Sequence, residues 1–223
     1  MEAELTAIAE GRGLGGETGG CVLCSVVAAR GHVRAPHDRV LASDAHFILV
    51  PTIAPLVIGH AMVVTREHSE GLWEAGAPPM PLYDRFVRSL RRFAAARGDN
   101  LLEAEHGGVS QSGRGACIVH THIHLFPSLG DRVDLLDRFR IPRTRGRSYY
   151  WLRGTEGQCF YDASSSPSQT IRRAVADEVG LSAWDWGLPA AQDLVSDTIA
   201  YWSGLTAPGA DDCTGMSSGP ASA

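Results

Sequence analysis

The chain has 223 residues, enough for one large domain or a domain with a substantial extension, and its 44% hydrophobic and 20% charged residues are the balance of a soluble globular protein. A formal net charge of -5 gives no overall bias toward nucleic acid, and no apolar run reaches the roughly 20 residues of a membrane span. The opening stretch MEAELTAIAEGRGLGGETGG has neither a basic n-region nor an apolar h-region, so it does not read as a signal peptide. A cytoplasmic protein is expected, whose five cysteines serve as thiols or metal ligands rather than as disulfides.

Residues 1 to about 19 are small, polar and glycine-rich and are expected to be disordered, as are residues from about 207 to 223, which include Cys213. Between them, strand-like runs fall at Val40–Ala42, Phe47–Val50 and Ala61–Thr65. The segment PLYDRFVRSLRRFAAARG predicts a helix that starts at Pro81 and stops at Gly98, with Leu82, Phe86, Leu90 and Phe93 on one face. Further strands are predicted at Ile118–Phe126 and Tyr149–Arg153, with a weaker one at Gln158–Tyr161. A second helix takes Ser168 as its N-cap, Ile171, Val175 and Val179 as its apolar stripe and Gly180 as its stop; a third runs from about Pro189 to Trp202. Strands come mostly first, with helices inserted and appended, which argues for an α+β fold built on an antiparallel sheet. Five arginines in Arg138–Arg147, RFRIPRTRGR, are either a solvated loop or a loop that faces phosphate, since guanidinium forks match phosphate oxygens.

The stretch IVHTHIHLFP carries His120, His122 and His124 on alternate residues, so on a strand all three point to one face. A chance cluster on a solvated face conflicts with the apolar flanks Ile118, Val119 and Phe126. Two chemical readings stay open. Alternating imidazoles can ligate a metal, and a neutral imidazole can attack phosphorus at pH 7 to give a labile N–P adduct. Cys21 and Cys24 form a C-x-x-C pair, with His68 lying 44 residues beyond Cys24 and His120 a further 52 on. Two thiolates and two imidazoles make a tetrahedral zinc set, and a closed set of that kind is structural. This division assigns His120 to metal and leaves His122 for chemistry.

GHAMVVTREH followed by HTHIHLFP resembles the histidine triad (HIT) superfamily, over about Cys21 to Pro127. The resemblance implies a HIT-like α+β fold with a five-stranded antiparallel sheet, usually as a homodimer, that binds a nucleotide. It implies attack on an α-phosphate by the middle histidine, here His122, with His124 and His60 as the other catalytic histidines. It also implies a structural zinc on Cys21, Cys24, His68 and His120, as in some branches. The organisation this resemblance implies is a HIT-like catalytic domain over residues 20–130 and a mixed C-terminal extension over 131–206 packed on it. The tail IRRAVADEVGLSAWDW resembles a bacterial branch with such an extension, in which Trp184 and Trp186 are expected as core.

Departures from the family pattern concern substrate recognition. Thr52 stands where an Asp or Asn usually holds the ribose diol, and one hydroxyl cannot make that bidentate contact. Cys117 ends a Gly115–Ala116–Cys117 segment that lacks the usual polar phosphate donor. Glu105 and His106 are expected on a loop before the triad strand, facing phosphate or leaving group. The reading is a nucleotidyl hydrolase or transferase working through a nucleotidyl-histidine, its substrate a dinucleoside polyphosphate, a phosphoramidate or a specialised biosynthetic nucleotide. The alternative is a zinc-stabilised nucleotide-binding module without turnover, with neither membrane nor nucleic acid as partner in either case.

Overall fold

The computed structural model describes residues 21–29, 33, 35–108, 118–167, 169–182 and 192–205. The two tails, Ser168, Trp184, Trp186 and the Gly115–Cys117 segment lie outside the described residues. Among the described residues, four α-helices and seven strands follow in the order α1 (Val22–Ala28), β1 (Ala42–Ser43), β2 (Phe47–Pro51), β3 (Ala61–Thr65), α2 (Met80–Ala95), β4 (Leu102–Gly108), β5 (His122–Phe126), β6 (Ser148–Gly154), β7 (Gly157–Asp162), α3 (Thr170–Glu178) and α4 (Gln192–Trp202). Among the described residues no helix is long and apolar enough to cross a membrane.

All strands join one antiparallel sheet in the order β1-β2-β3-β5-β4-β6-β7. The expected α+β architecture is present, but with seven strands rather than five. The two added strands form a hairpin closed at Gly154 and Gly157, and β6 pairs with β4 from Glu103↔Arg153 to Gly108↔Ser148. In a sheet of five strands β4 would be an edge; the chain covers that edge with its own β6.

Strand β4 has no counterpart among the predicted elements, and the loop expected at Glu105 and His106 is part of it. In LEAEHGG the two glutamates read as solvent-facing and the two glycines as a turn, yet Glu103 and Glu105 are fully buried. Glu103 is paired by residues remote in sequence: Tyr83 Oη donates to it at 2.8 Å, Arg91 Nε at 2.6 Å and Arg153 Nη2 at 2.7 Å. A buried carboxylate is tolerated only with such partners. The predicted strand Ile118–Phe126 is shorter, starting at His122. Its neighbour β3 ends at Thr65, and the Thr121 N–H turns instead to Ser69 O at 2.7 Å. Helix α3 stops as predicted at Gly180, whose φ of 73° lets Leu181 N–H reach Ala176 O at 2.8 Å.

One face of the sheet packs Phe47, Leu49, Val63, Ile123, Leu125 and Trp151 against Tyr83, Phe86, Val87 and Leu90 of α2. The other face carries two separate apolar patches. Leu23 of α1 covers Ile48, Val50 and Val64, while Ile171, Ala174 and Val175 of α3 cover Leu102, Ala104, Phe126, Tyr150 and Leu152. His122 and His124 lie on that second face, next to Val64 and Met62 across the ladder. Helix α4 lies beside the C-terminal end of α2, with Trp202 stacked on Phe93 at 5.6 Å between centroids. The arginine-rich segment is an exposed loop: Arg138 pairs with Glu178 at 2.8 Å, Arg143 with Asp137, and Arg145 with Trp73 O at 2.6 Å.

Candidate active site and metal centre

Hydrogen-bond partners determine which nitrogen of each site histidine carries the proton, because a carbonyl can only accept and a backbone N–H can only donate. His122 Nδ1 lies 2.6 Å from His120 O, so Nδ1 holds the proton and the lone pair is on Nε2. His120 Nε2 lies 2.9 Å from Thr65 O, so its lone pair is on Nδ1. Leu56 N–H donates to His60 Nδ1 at 3.1 Å, which puts the His60 proton on Nε2. That proton faces His124 Nδ1 at 2.9 Å, leaving the proton of His124 on Nε2. The four assignments are mutually consistent, and because His60 and His124 each accept at Nδ1, those two rings must be neutral.

Neutrality follows from burial. Desolvation holds His60 and His124 well below the usual imidazole range, assisted by their mutual repulsion or that of His122, and by the Arg172 guanidinium. Burial also lowers His122, against the opposing pull of the His120 carbonyl. Aromatic packing seats the rings: His60 lies 4.2 Å from Phe126, and His124 stacks on Phe126 at 5.8 Å and meets His122 edge-on at 5.3 Å between centroids.

His106 joins this group from β4. The β4–β5 register, Ala104↔His124, brings it beside His122 on the same face. Its Nε2 is 3.2 Å from Ser148 Oγ and its ring 4.6 Å from that of Tyr150. Burial, with repulsion from His122, pushes its pKa down to about 4. Glu105 is different. It points to the opposite face, where Leu72 N–H donates to it at 2.7 Å and Tyr149 Oη–H at 3.0 Å. Burial pushes it up to about 7. The strand period of two that places His106 with the triad takes Glu105 away from it, which corrects the expectation that both face phosphate. Thr52 is buried immediately after β2, and Cys117 lies outside the described residues.

Cys21, Cys24, His68 and His120 form a second cluster, with their ligand atoms all within 4.8 Å of one another. Cys21 Sγ is 3.4 Å and Cys24 Sγ 3.5 Å from His120 Nδ1, and Cys24 Sγ is 3.4 Å from His68 Nδ1. Metal–sulfur bonds of roughly 2.3 Å and metal–nitrogen bonds of roughly 2.0 Å at a tetrahedral angle separate the two ligands by about 3.5 Å. Three of the sulfur–nitrogen edges of the cluster thus match those of a tetrahedral Cys2His2 site. The bond from His120 to Thr65 O orients the ring and directs its lone pair at the cysteines. Helix α1, absent from the predicted elements, carries Cys24 and begins right after Cys21.

Sequence reasoning missed Leu56, whose backbone sets the His60 tautomer, and Arg172, buried on α3 with its guanidinium near His60 and His124. A main-chain donor leaves no mark in residue type. Arg172 sits in a helix whose apolar stripe suggested only packing.

No family model matches the chain. It is similar to an uncharacterized HIT-like protein of Saccharolobus solfataricus, 28% identical over 134 residues, or 58% of this chain and 89% of the relative. Among solved structures it is similar to a zinc-bound histidine triad family protein from Mycobacterium smegmatis, at 19% identity and a TM-score of 0.35, covering 72% of this chain and 96% of the other. A HIT family member from Bacillus subtilis aligns at 20% identity with a TM-score of 0.35, covering 49% and 74% respectively.

Proposed function

We infer, from the premise that this chain belongs to the histidine triad superfamily, that it is a nucleotidyl hydrolase or transferase in which His122 is the nucleophile. The observation that carries the reading is the 2.6 Å bond from His122 Nδ1–H to His120 O, which leaves Nε2 as a neutral nucleophile. In this reading Nε2 forms a bond to the α-phosphorus, and the bond from phosphorus to the leaving group breaks with its electron pair. His124 Nε2–H donates to a phosphate oxygen as charge develops there, with His60 holding the ring in that tautomer. Water or another acceptor then attacks phosphorus and gives up its proton to solvent, the N–P bond breaks with its electron pair returning to Nε2, and His122 is again neutral.

His106, beside His122 on the same face, is the candidate contact for a leaving group or a second phosphate oxygen, and Thr52 is a candidate contact toward the sugar. Cys21, Cys24, His68 and His120 would hold zinc, and a closed four-ligand site supplies cross-linking rather than chemistry. That link ties α1 to the start of the triad strand. Because the His120 backbone carbonyl accepts the His122 proton, the same residue serves the metal through its ring and the nucleophile through its main chain.

Intact-mass spectrometry after rapid mixing with adenylyl and guanylyl donors tests the proposal. Wild type is expected to gain one nucleotidyl group through an acid-labile, base-stable bond, and His122→Gly to gain none. An adduct of equal yield in His122→Gly would reject His122 as the nucleophile. Ligand binding with neither adduct nor product in wild type would favour a binding module.

A further inference from the structure

We infer that the C-terminal extension holds the catalytic histidines in their working tautomers, because Arg172, Thr198 and Trp202 clasp the β2–β3 loop whose backbone polarises His60 and His124. The kinetic part of this inference rests on the proposed nucleotidyl chemistry; the tautomer part does not.

The loop over residues 52–60 is gripped at both ends by side chains from α3 and α4. At one end Arg172 Nη2 donates to Ala54 O at 2.8 Å. At the other, Gly59 N–H donates to Thr198 Oγ1 at 3.1 Å and Trp202 Nε1–H donates to Gly59 O at 2.9 Å. All three side chains are buried, at 6%, 0% and 2% exposure, so water does not compete for these bonds. The apolar contact is equally close. Leu56 packs in the cluster of Ile171 and Val175, and a Cβ on Gly59 would lie 2.8 Å from Pro127 and 2.9 Å from the Tyr201 ring. With φ at 83°, Gly59 suits a conformation and an approach that other residues do not.

Between the two grips lies the one bond that orders the relay, Leu56 N–H to His60 Nδ1. An amide N–H only donates, so His60 must keep its proton on Nε2, and His124 must then keep its own on Nε2. If the Leu56 amide moves away, His60 can hold its proton on Nδ1 and accept at Nε2. The proton of His124 then moves to Nδ1, and its Nε2 offers a lone pair, which repels a phosphate oxygen. The guanidinium of Arg172 also keeps both rings neutral, as the relay requires, because its charge opposes their protonation. Arg172, Thr198 and Trp202 are therefore positioning residues that act through the loop.

The test uses the full chain with Thr198→Val, Thr198→Ser, Arg172→Met and, as a control on the exposed side of α3, Arg173→Met. Nitrogen-15 NMR of the imidazoles reads the tautomers directly, and thermal melting checks folding. Wild type, Thr198→Ser and Arg173→Met are expected to show His60 and His124 protonated at Nε2. Thr198→Val and Arg172→Met are expected to populate the Nδ1-protonated forms and to lower kcat roughly 10- to 100-fold with little change in KM. Thr198→Val loses a single hydroxyl and carries the test should Arg172→Met not fold. Unchanged His60 and His124 tautomers in folded Thr198→Val would overturn the inference. Tautomers that respond in a protein with no turnover on any donor would instead reject the nucleotidyl chemistry and leave the inference intact.

Discussion

Glu105→Gln isolates the cost of placing a carboxyl group in the α2 face of the sheet. Glu105 is fully buried and its pKa is pushed from the model-peptide value near 4.5 up to about 7, with desolvation outweighing the bonds from Leu72 N–H and Tyr149. The unfolded chain releases this proton near pH 4.5 and the folded chain releases it near pH 7, so between those values the folded state binds more protons. The contribution to stability is thus fully present below pH 4.5, declines as pH rises, and is gone above pH 7. A shift of 2.5 pH units at 1.36 kcal/mol each is about 3 kcal/mol in total, of which roughly 2.5 kcal/mol falls between pH 5 and pH 8. Glutamine has the shape and hydrogen bonding of the neutral acid, so its stability lacks this slope. Urea denaturation of both proteins at pH 5, 6, 7 and 8 should show the variant gaining on wild type by roughly 2.5 kcal/mol across the series, since every other titrating group cancels in the difference. A pH-independent difference, or one that grows toward acid, would refute the reasoning. Because Glu105 lies on the face away from His122, the rate of nucleotidyl adduct formation in the variant should stay at the wild-type value.

Two other consequences follow from the site. Cys21→Ser combined with Cys24→Ser should reduce bound zinc from one per chain to none by atomic emission and lower the thermal midpoint by several degrees, about 2–4 °C per kcal/mol lost for a chain of this size. Equal metal content in the variant would reject the cluster as the metal site. The acid limb of kcat/KM should lie below pH 6.5, because His60 and His124 are held well below that value and stay neutral as pH falls through it. Unfolded imidazoles do protonate near pH 6.5, so the stability these two residues contribute is present above that pH and lost as pH falls below it. An acid limb centred at or above pH 6.5 would contradict the tautomer relay.

The shared face of His122 and His124 was readable because strand geometry is local, with side chains two residues apart on a strand pointing the same way; His120, expected on the same strand, precedes β5 and joins the cysteine cluster instead. Helix α2 was readable in part: Phe86 and Leu90 of the expected stripe are buried and Leu82 and Phe93 only partly so, while the helix ends at Ala95, three residues before Gly98 turns the chain at a φ of 83°. Pairing C-x-x-C with His68 and His120 as a ligand set was also possible in advance, since donor chemistry restricts what four such residues can do together. Strand β4 was not readable. Its glutamates are buried only because Arg91, Arg153, Tyr83, Tyr149 and the Leu72 amide converge on them, and no local pattern encodes partners up to 50 residues away. Glu105 and His106 are neighbours in sequence, and the sheet sends them to opposite faces. The residue types of the site thus followed from the sequence. The protonated nitrogen on each histidine, the seven-stranded sheet and the grip of α3 and α4 on the β2–β3 loop were decided by tertiary structure, because each depends on hydrogen bonds between segments that only folding brings together.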